Sequence, residues 1–181
     1  MSARPPRIRP GNLRDLGLVN GLLARALGAA SGGPPPNIFL TLGRHRSLFR
    51  KWLLFAGGLM PGGTLRRSES ELVILCVATS MRCPYEWDHH ERLAKRAGVS
   101  DEAIECVRQG ELDADCFTPR ERAFLRACQD LYERREILED TWRELAELAS
   151  EVEIIELCLL VGHYQMLAMT LNTLRVPLDA R

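Results

Sequence analysis

Residues 68–90 of the chain are SESELVILCVATSMRCPYEWDHH, and this stretch decides the fold. Residues 72–77 are nearly all apolar, which predicts a buried helix. Ser68 and Glu71 have the spacing of a capping box, which places the start of that helix at Ser68. The stretch therefore predicts a buried helix, a break, and the start of a second helix.

The second helix begins at Pro84, since a missing N–H costs nothing at the first helical position. Cys83 is then its N-cap. At about 100° per residue, Glu86, Trp87 and His90 lie on the same helix face as Cys83. A thiol at the positive end of the helix dipole, with an imidazole nearby, has a lowered pKa and reacts as a thiolate. These residues predict a nucleophilic cysteine.

Four further site candidates each have a structural interpretation beside the functional one. The capping box fully explains Glu71, but this carboxylate could also orient or deprotonate His90. Tyr85 and Trp87 are candidate pocket walls, with aromatic core packing as the alternative. His163 lies in the last apolar segment, where it could complete the pocket or pack as a core histidine, and its neighbour Tyr164 has the same two interpretations.

Glu71, Cys83, Glu86 and His90 are separated by eleven, two and three residues. This pattern resembles the alkylhydroperoxidase D and carboxymuconolactone decarboxylase superfamily, whose peroxidase branch has a second cysteine at the position of Glu86. The string Cys-Pro-Tyr-Glu-Trp-Asp-His-His is similar to the branch that has a single cysteine followed by Tyr-Glu-Trp. Glu86 is then either a salt-bridging helix residue or the replacement for the resolving thiol.

The resemblance covers about residues 65–98, with weaker similarity around residues 162–172. It implies an all-α subunit that assembles into trimers or hexamers. It also implies catalytic roles for Cys83, His90 and Glu71.

Length and composition are those of one soluble globular domain: 181 residues, 46% hydrophobic and 27% charged, with a formal net charge of zero. Without a basic excess there is no case for nucleic acid or an anionic membrane surface as a partner. We expect an N-terminal arm at residues 1–11 and a single helical domain at residues 12–181, with its core motif at residues 65–98. The arm has no apolar signal core, so we expect a cytoplasmic protein.

The six cysteines form no Cys-x-x-Cys motif, which excludes zinc-knuckle and thioredoxin-type sites. We expect reduced thiols, no metal site and no other cofactor.

Capping and periodicity predict helices through the rest of the chain, and no stretch alternates as a strand does, so the fold class is all-α. The last helix is apolar on nearly every side over residues 154–171, about the length of a membrane span. Glu156, His163 and the absence of basic flanks argue against a span. Such a helix is buried by the domain core or by a second copy, and we expect a homo-oligomer.

Three functions fit these residues, and the sequence favours the first. In a thiol-dependent hydroperoxide reductase (a peroxiredoxin-like activity), the Cys83 thiolate attacks the peroxide and becomes a sulfenic acid, assisted by His90 and Glu71. An external thiol, or another cysteine such as Cys76, would resolve that sulfenic acid.

The second function is a cofactor-free decarboxylase or proton-transfer enzyme that acts on a small lactone acid. His90 is then the general acid–base, and Cys83 is a pocket wall. Arg82, or Arg66 with Arg67 from the preceding loop, are the cations near the motif. The third is a non-catalytic oligomeric helical protein that retains the family core.

Overall fold

The computed structural model describes residues 5–30 and 32–180, and these residues form nine α-helices and no strand. Residues 1–4 of the expected N-terminal arm lie outside this description. The prediction of an all-α fold is confirmed. In chain order the helices are α1 (Leu13–Ala30), α2 (Asn37–Leu42), α3 (Arg46–Leu59), α4 (Arg67–Ser80), α5 (Pro84–Arg96), α6 (Asp101–Gln109), α7 (Pro119–Glu133), α8 (Glu139–Leu148) and α9 (Glu151–Leu174).

The chain divides into two compact units. Unit 1 comprises the described residues of the ranges Met1–Pro61 and Thr170–Arg181, and unit 2 comprises Gly62–Met169. Every candidate site residue belongs to unit 2. The expectation of one domain over residues 12–181 stays a prediction.

Unit 1 contains α1 to α3. The Asn12 side chain caps α1, because its Oδ1 accepts the N–H groups of Arg14 and Asp15 at 2.9 and 3.3 Å. Gly17 interrupts α1 with a φ of 73°, a conformation that favours glycine.

Unit 2 is built around α4, in which every residue from Glu69 to Ala78 is buried. This confirms the buried helix predicted from the apolar run. Its neighbours α5, α6 and α7 cover its sides. Because α4 is enclosed, a polar side chain on it needs a partner inside the protein.

The start of α4 differs from the prediction. The helix begins at Arg67, and the N–H of Arg66 donates to the Glu69 carboxylate at 3.3 Å. The capping box assigned to Ser68 and Glu71 is therefore wrong. Arg120 of α7 fixes the observed arrangement, since its Nε donates to Glu69 at 2.8 Å. Glu71 therefore lies one turn after the start of α4, where its side chain is fully buried.

A capping box starts α9, where the Ser150 N–H and hydroxyl both donate to Glu153 Oε2 at 2.8 Å. By length and composition α9 could span a membrane, but 56% of its apolar window is buried in the protein, as in a core helix. Within unit 2 its other side is exposed, at Val152, Ile155, Leu159, Met166 and Met169.

Candidate active site

Glu71 and His90 form a buried pair between α4 and α5. Glu71 Oε2 lies 2.7 Å from His90 Nδ1, and the side chains are 0% and 8% exposed. A carboxylate at this distance selects the tautomer with the proton on Nδ1, which leaves the lone pair on Nε2. The pair therefore presents an oriented imidazole that can accept or return a proton.

Arg67 completes this pair from the first turn of α4. Its Nη2 lies 2.7 Å from Glu71 Oε1, and its side chain is 41% exposed. The guanidinium compensates the negative charge of a fully buried carboxylate, which would be costly if it were unpaired. Of the three arginines considered near the motif, the structure places Arg67 in the site.

Glu86 is the second buried carboxyl group, at 2% exposure. Among the described residues, no N–H or O–H group donates to either of its oxygens. Burial raises the pKa of Glu86 to about 8, and the weak donor Cys83 only partly offsets this rise. At neutral pH Glu86 is therefore a carboxylic acid that can donate a proton or a hydrogen bond.

Cys83 is the N-cap of α5 with Pro84 at the first helical position, as predicted. Its predicted thiolate character is wrong. Burial first, and the charge of Glu86 second, raise the pKa of Cys83 to about 12. The N–H groups of Glu86 and Tyr85 favour the thiolate, but they are outweighed because the thiol is only 1% exposed.

Tyr164 of α9 lies against the site from a third helix. Its ring meets His90 edge-on, with 5.1 Å between the centroids and 88° between the planes. Burial, and then the charges of Glu71 and Glu86, raise the pKa of Tyr164, so its hydroxyl stays protonated. The sequence suggested that Tyr164, beside His163, could complete the pocket, but it did not indicate the contact with His90.

His163 precedes Tyr164 and packs edge-on against it at 5.1 Å. Burial, and then the charge of His90, lower the pKa of His163 to about 4. His163 is therefore a neutral wall of the site at physiological pH.

Trp87, a predicted pocket wall, makes its side-chain contacts with Glu91 and Arg108. The indole N–H donates to Glu91 at 2.9 Å, and the Arg108 guanidinium lies 4.2 Å from the ring centroid. Trp87 thus links α5 to α6. Tyr85 is buried at 6% exposure in the first turn of α5. Its backbone N–H hydrogen-bonds to the Cys83 sulfur and favours the thiolate form.

Two other sequence interpretations concern cysteine and metal chemistry. Cys76 is buried on α4 at 3% exposure, and the nearby thiol of Cys128 on α7 donates to the Val73 carbonyl at 3.9 Å. Within the part of the chain that the structure describes, no group of three or more His, Cys, Asp or Glu could hold a metal ion.

The model of the carboxymuconolactone decarboxylase family matches residues 46–130, which include Glu71, Cys83, Glu86 and His90. No curated protein matches the sequence. Among solved structures, a peroxidase-related protein of Ralstonia eutropha with an alkylhydroperoxidase core has a TM-score of 0.86 at 21% identity, covering 98% of this chain and 94% of its own.

A peroxidase-related protein of a Silicibacter species has a TM-score of 0.85 at 16% identity, covering 99% of this chain and 95% of its own. An apo debrominase has a TM-score of 0.79 at 18% identity, covering 96% of this chain and 92% of its own. At these identities the likeness shows the fold alone. Peroxidase-related proteins and a debrominase share it, so activities on this fold differ.

Together, the family match and the shared fold confirm the resemblance to the alkylhydroperoxidase D and carboxymuconolactone decarboxylase superfamily. Assignment to the branch with a single cysteine stays a prediction.

Proposed function

We propose that this chain, with its carboxymuconolactone decarboxylase-like core, is a cofactor-free enzyme that moves protons on a small lactone acid or related carboxylic acid. The proposal rests on two buried groups, one a neutral acid that can donate a proton and the other an imidazole that can accept one. Glu86 is held neutral with a pKa of about 8, while His90 is oriented by Glu71 at 2.7 Å to accept a proton.

Decarboxylation of a conjugated lactone acid illustrates the chemistry. The carbon–carbon bond to the carboxylate breaks, CO₂ leaves, and the electron pair enters the conjugated carbonyl system. The Glu86 carboxyl donates a hydrogen bond to the carbonyl oxygen where negative charge develops. His90 first takes a proton from solvent water on Nε2, and Glu71 stabilises the resulting imidazolium. His90 then delivers this proton to the carbanion carbon and returns to its neutral form.

Arg67 gives the site its preference for an anionic substrate. Its guanidinium is partly exposed and lies 2.7 Å from Glu71, so positive charge sits beside the proton carrier. Such a charge attracts a substrate carboxylate to the reacting groups.

Thiol-dependent hydroperoxide reduction by Cys83 is the second candidate. Backbone N–H groups of Tyr85 and Glu86 favour a thiolate there, and peroxidase-related proteins share the fold. It ranks second, although the sequence alone favoured it, because burial and Glu86 raise the pKa of Cys83 to about 12. This reaction would also require an external thiol reductant.

We also propose that the protein is a cytoplasmic homo-oligomer, a trimer or hexamer. Val152, Ile155 and Leu159 are 48–61% exposed along one side of α9, and a second copy would remove this apolar surface from water. Light scattering across a range of protein concentrations measures the mass of the assembly.

The function is tested by assaying small unsaturated lactone acids for CO₂ release and for proton–deuterium exchange, and organic hydroperoxides for consumption with added thiols. Glu86→Gln and His90→Ala each lower lactone-acid turnover by about 10²-fold or more. Glu91→Gln is the matched control, since Glu91 lies on the same helix but pairs with Trp87 and Arg108. Hydroperoxide turnover that Cys83→Ser abolishes and Glu86→Gln preserves would establish the second candidate instead. The absence of turnover in every assay would favour the non-catalytic reading.

A further inference from the structure

Helix α4 begins without an ordinary N-cap side chain. Its N-cap residue is Arg66, and an arginine side chain has no acceptor for the free N–H groups of the first turn. The Arg66 N–H itself donates to Glu69 at 3.3 Å. Because an uncapped helix start is less stable than a capped one, contacts from elsewhere in the fold are needed to hold the chain that leads into α4.

Glu156 of α9 supplies such a contact. Its Oε2 accepts the N–H of Thr64 at 2.6 Å and the hydroxyl of Thr64 at 2.5 Å, and its Oε1 accepts the N–H of Leu65 at 3.3 Å. Glu156 is 8% exposed. A largely buried carboxylate that accepts three hydrogen bonds is a strong anchor. Glu156 therefore holds the backbone directly before α4.

A second glutamate of α9 reaches the first turn of α4 through an arginine. Arg120 Nη2 lies 2.5 Å from Glu153 Oε1, and Arg120 Nε donates to Glu69 at 2.8 Å. This bridge acts on a residue inside α4, whereas Glu156 acts on the two residues that precede the N-cap. The two glutamates therefore hold different segments of the chain.

Arg67 is the residue of the proposed active site that depends on this helix start. It is the first residue of α4, three residues after Thr64, and its Nη2 lies 2.7 Å from Glu71 Oε1. Its side chain is 41% exposed, so little packing holds it in place. Arg67 keeps its position only while the first turn of α4 stays formed. Glu71 lies one turn further along, in the enclosed part of the helix.

We propose that Glu156 is a positioning residue that holds Arg67 at the active site and so sets the affinity for an anionic substrate. This inference rests on the proposed function, in which Arg67 attracts the substrate carboxylate. Without the Glu156 carboxylate, Thr64 and Leu65 are released, the first turn of α4 frays, and Arg67 moves away from Glu71. The proton-transfer groups on α5 keep their places, so binding weakens while the chemical step does not.

The sign of the effect separates this role from a simple charge effect. By Coulomb's law alone, removing the negative charge of Glu156 would favour an anionic substrate and lower KM. Loss of positioning raises KM instead.

The first measurement needs no substrate. Phenylglyoxal modifies accessible guanidinium groups, and tandem mass spectrometry locates the modified arginines, so the rate at Arg67 reports how firmly this side chain is held. We expect faster modification of Arg67 in Glu156→Ala, and a smaller increase in Glu156→Gln, since glutamine keeps one acceptor oxygen. Glu151→Gln is the matched control, because Glu151 is an exposed glutamate in the first turn of the same helix. Equal rates at Arg67 in the Glu156 variants and in this control would overturn the proposal.

The second measurement is steady-state turnover of the lactone acid. We expect Glu156→Ala to raise KM about tenfold while kcat stays within about twofold. In an Arg67→Ala background the same substitution leaves KM unchanged, because both changes act through one contact. A KM that stays constant in Glu156→Ala, or that rises equally in both backgrounds, contradicts the proposal. If no lactone acid is turned over, the proposed function fails, and the modification rates alone decide whether Glu156 positions Arg67.

Discussion

Replacing Glu86 with glutamine makes the proton state of the buried carboxyl visible as a change in stability. Burial raises the pKa of Glu86 from 4.5 to about 8. Between these values the unfolded chain has released the proton while the folded protein keeps it, so stability falls as pH rises. Below pH 4.5 both states hold the proton, and above about pH 8 both have lost it.

The size of the effect follows from the shift. One unit of pKa corresponds to about 1.4 kcal/mol, so between about pH 6 and pH 8 the wild-type protein loses on the order of 2 kcal/mol through this group. Glutamine releases no proton over this range. The free energy of unfolding of Glu86→Gln, relative to wild type, therefore rises by that amount between the two pH values.

The assay is urea unfolding followed by circular dichroism, at equal protein concentration for every variant because the protein is expected to be oligomeric. Glu91→Gln is the control. Although burial opposes it, hydrogen bonds from Trp87 and Arg108 lower the pKa of Glu91, so its contribution is constant above pH 6. Parallel stability curves for wild type and Glu86→Gln from pH 6 to pH 9 would refute the argument that Glu86 is buried as a neutral acid.

Three further predictions follow from the same site. Cys83→Ala retains lactone-acid turnover, and its alkaline limit moves to higher pH in a rate profile, because the thiol lowers the pKa of Glu86; loss of turnover would make Cys83 essential. Glu71→Gln lowers kcat by about 10²-fold or more with the fold intact by circular dichroism, because His90 loses the carboxylate that orients it; unchanged kcat would contradict this role. Trp87→Ala lowers the free energy of unfolding by about 1–3 kcal/mol, since the indole links two helices, and urea unfolding checks it.

Local features of the fold were predictable from the sequence. Pro84 marks the start of α5 because its ring and missing N–H suit only the first turn, and this placed Cys83 at the N-cap. The capping boxes that start α7 at Thr118 and α9 at Ser150 are also local features, because the two partners of each box lie three residues apart. Such features depend on the backbone of one turn.

The features that the sequence did not reveal depend on distant parts of the chain. Arg120, 51 residues from Glu69 in the sequence, donates to the Glu69 carboxylate. This contact helps to explain why Glu69, and not Glu71, accepts the N–H of the residue before α4. The local sequence places Cys83 at the N-terminus of α5, where the helix dipole favours a thiolate. The burial that raises the pKa of Cys83 comes instead from the packing of other helices, which the local sequence does not show. Tyr164 reaches His90 from α9, and no spacing rule connects the two.

The central claim is that the site works with a neutral Glu86 and an unionised Cys83. The direct measurement is a pH titration of the ultraviolet absorbance of the thiolate in wild type, with Cys83→Ser subtracted to isolate this residue. With the pKa of Cys83 at about 12, we expect no thiolate signal from Cys83 between pH 6 and pH 9. A thiolate that forms below its ordinary pKa of about 8.5, and that disappears in His90→Ala, would contradict the account and support peroxide chemistry.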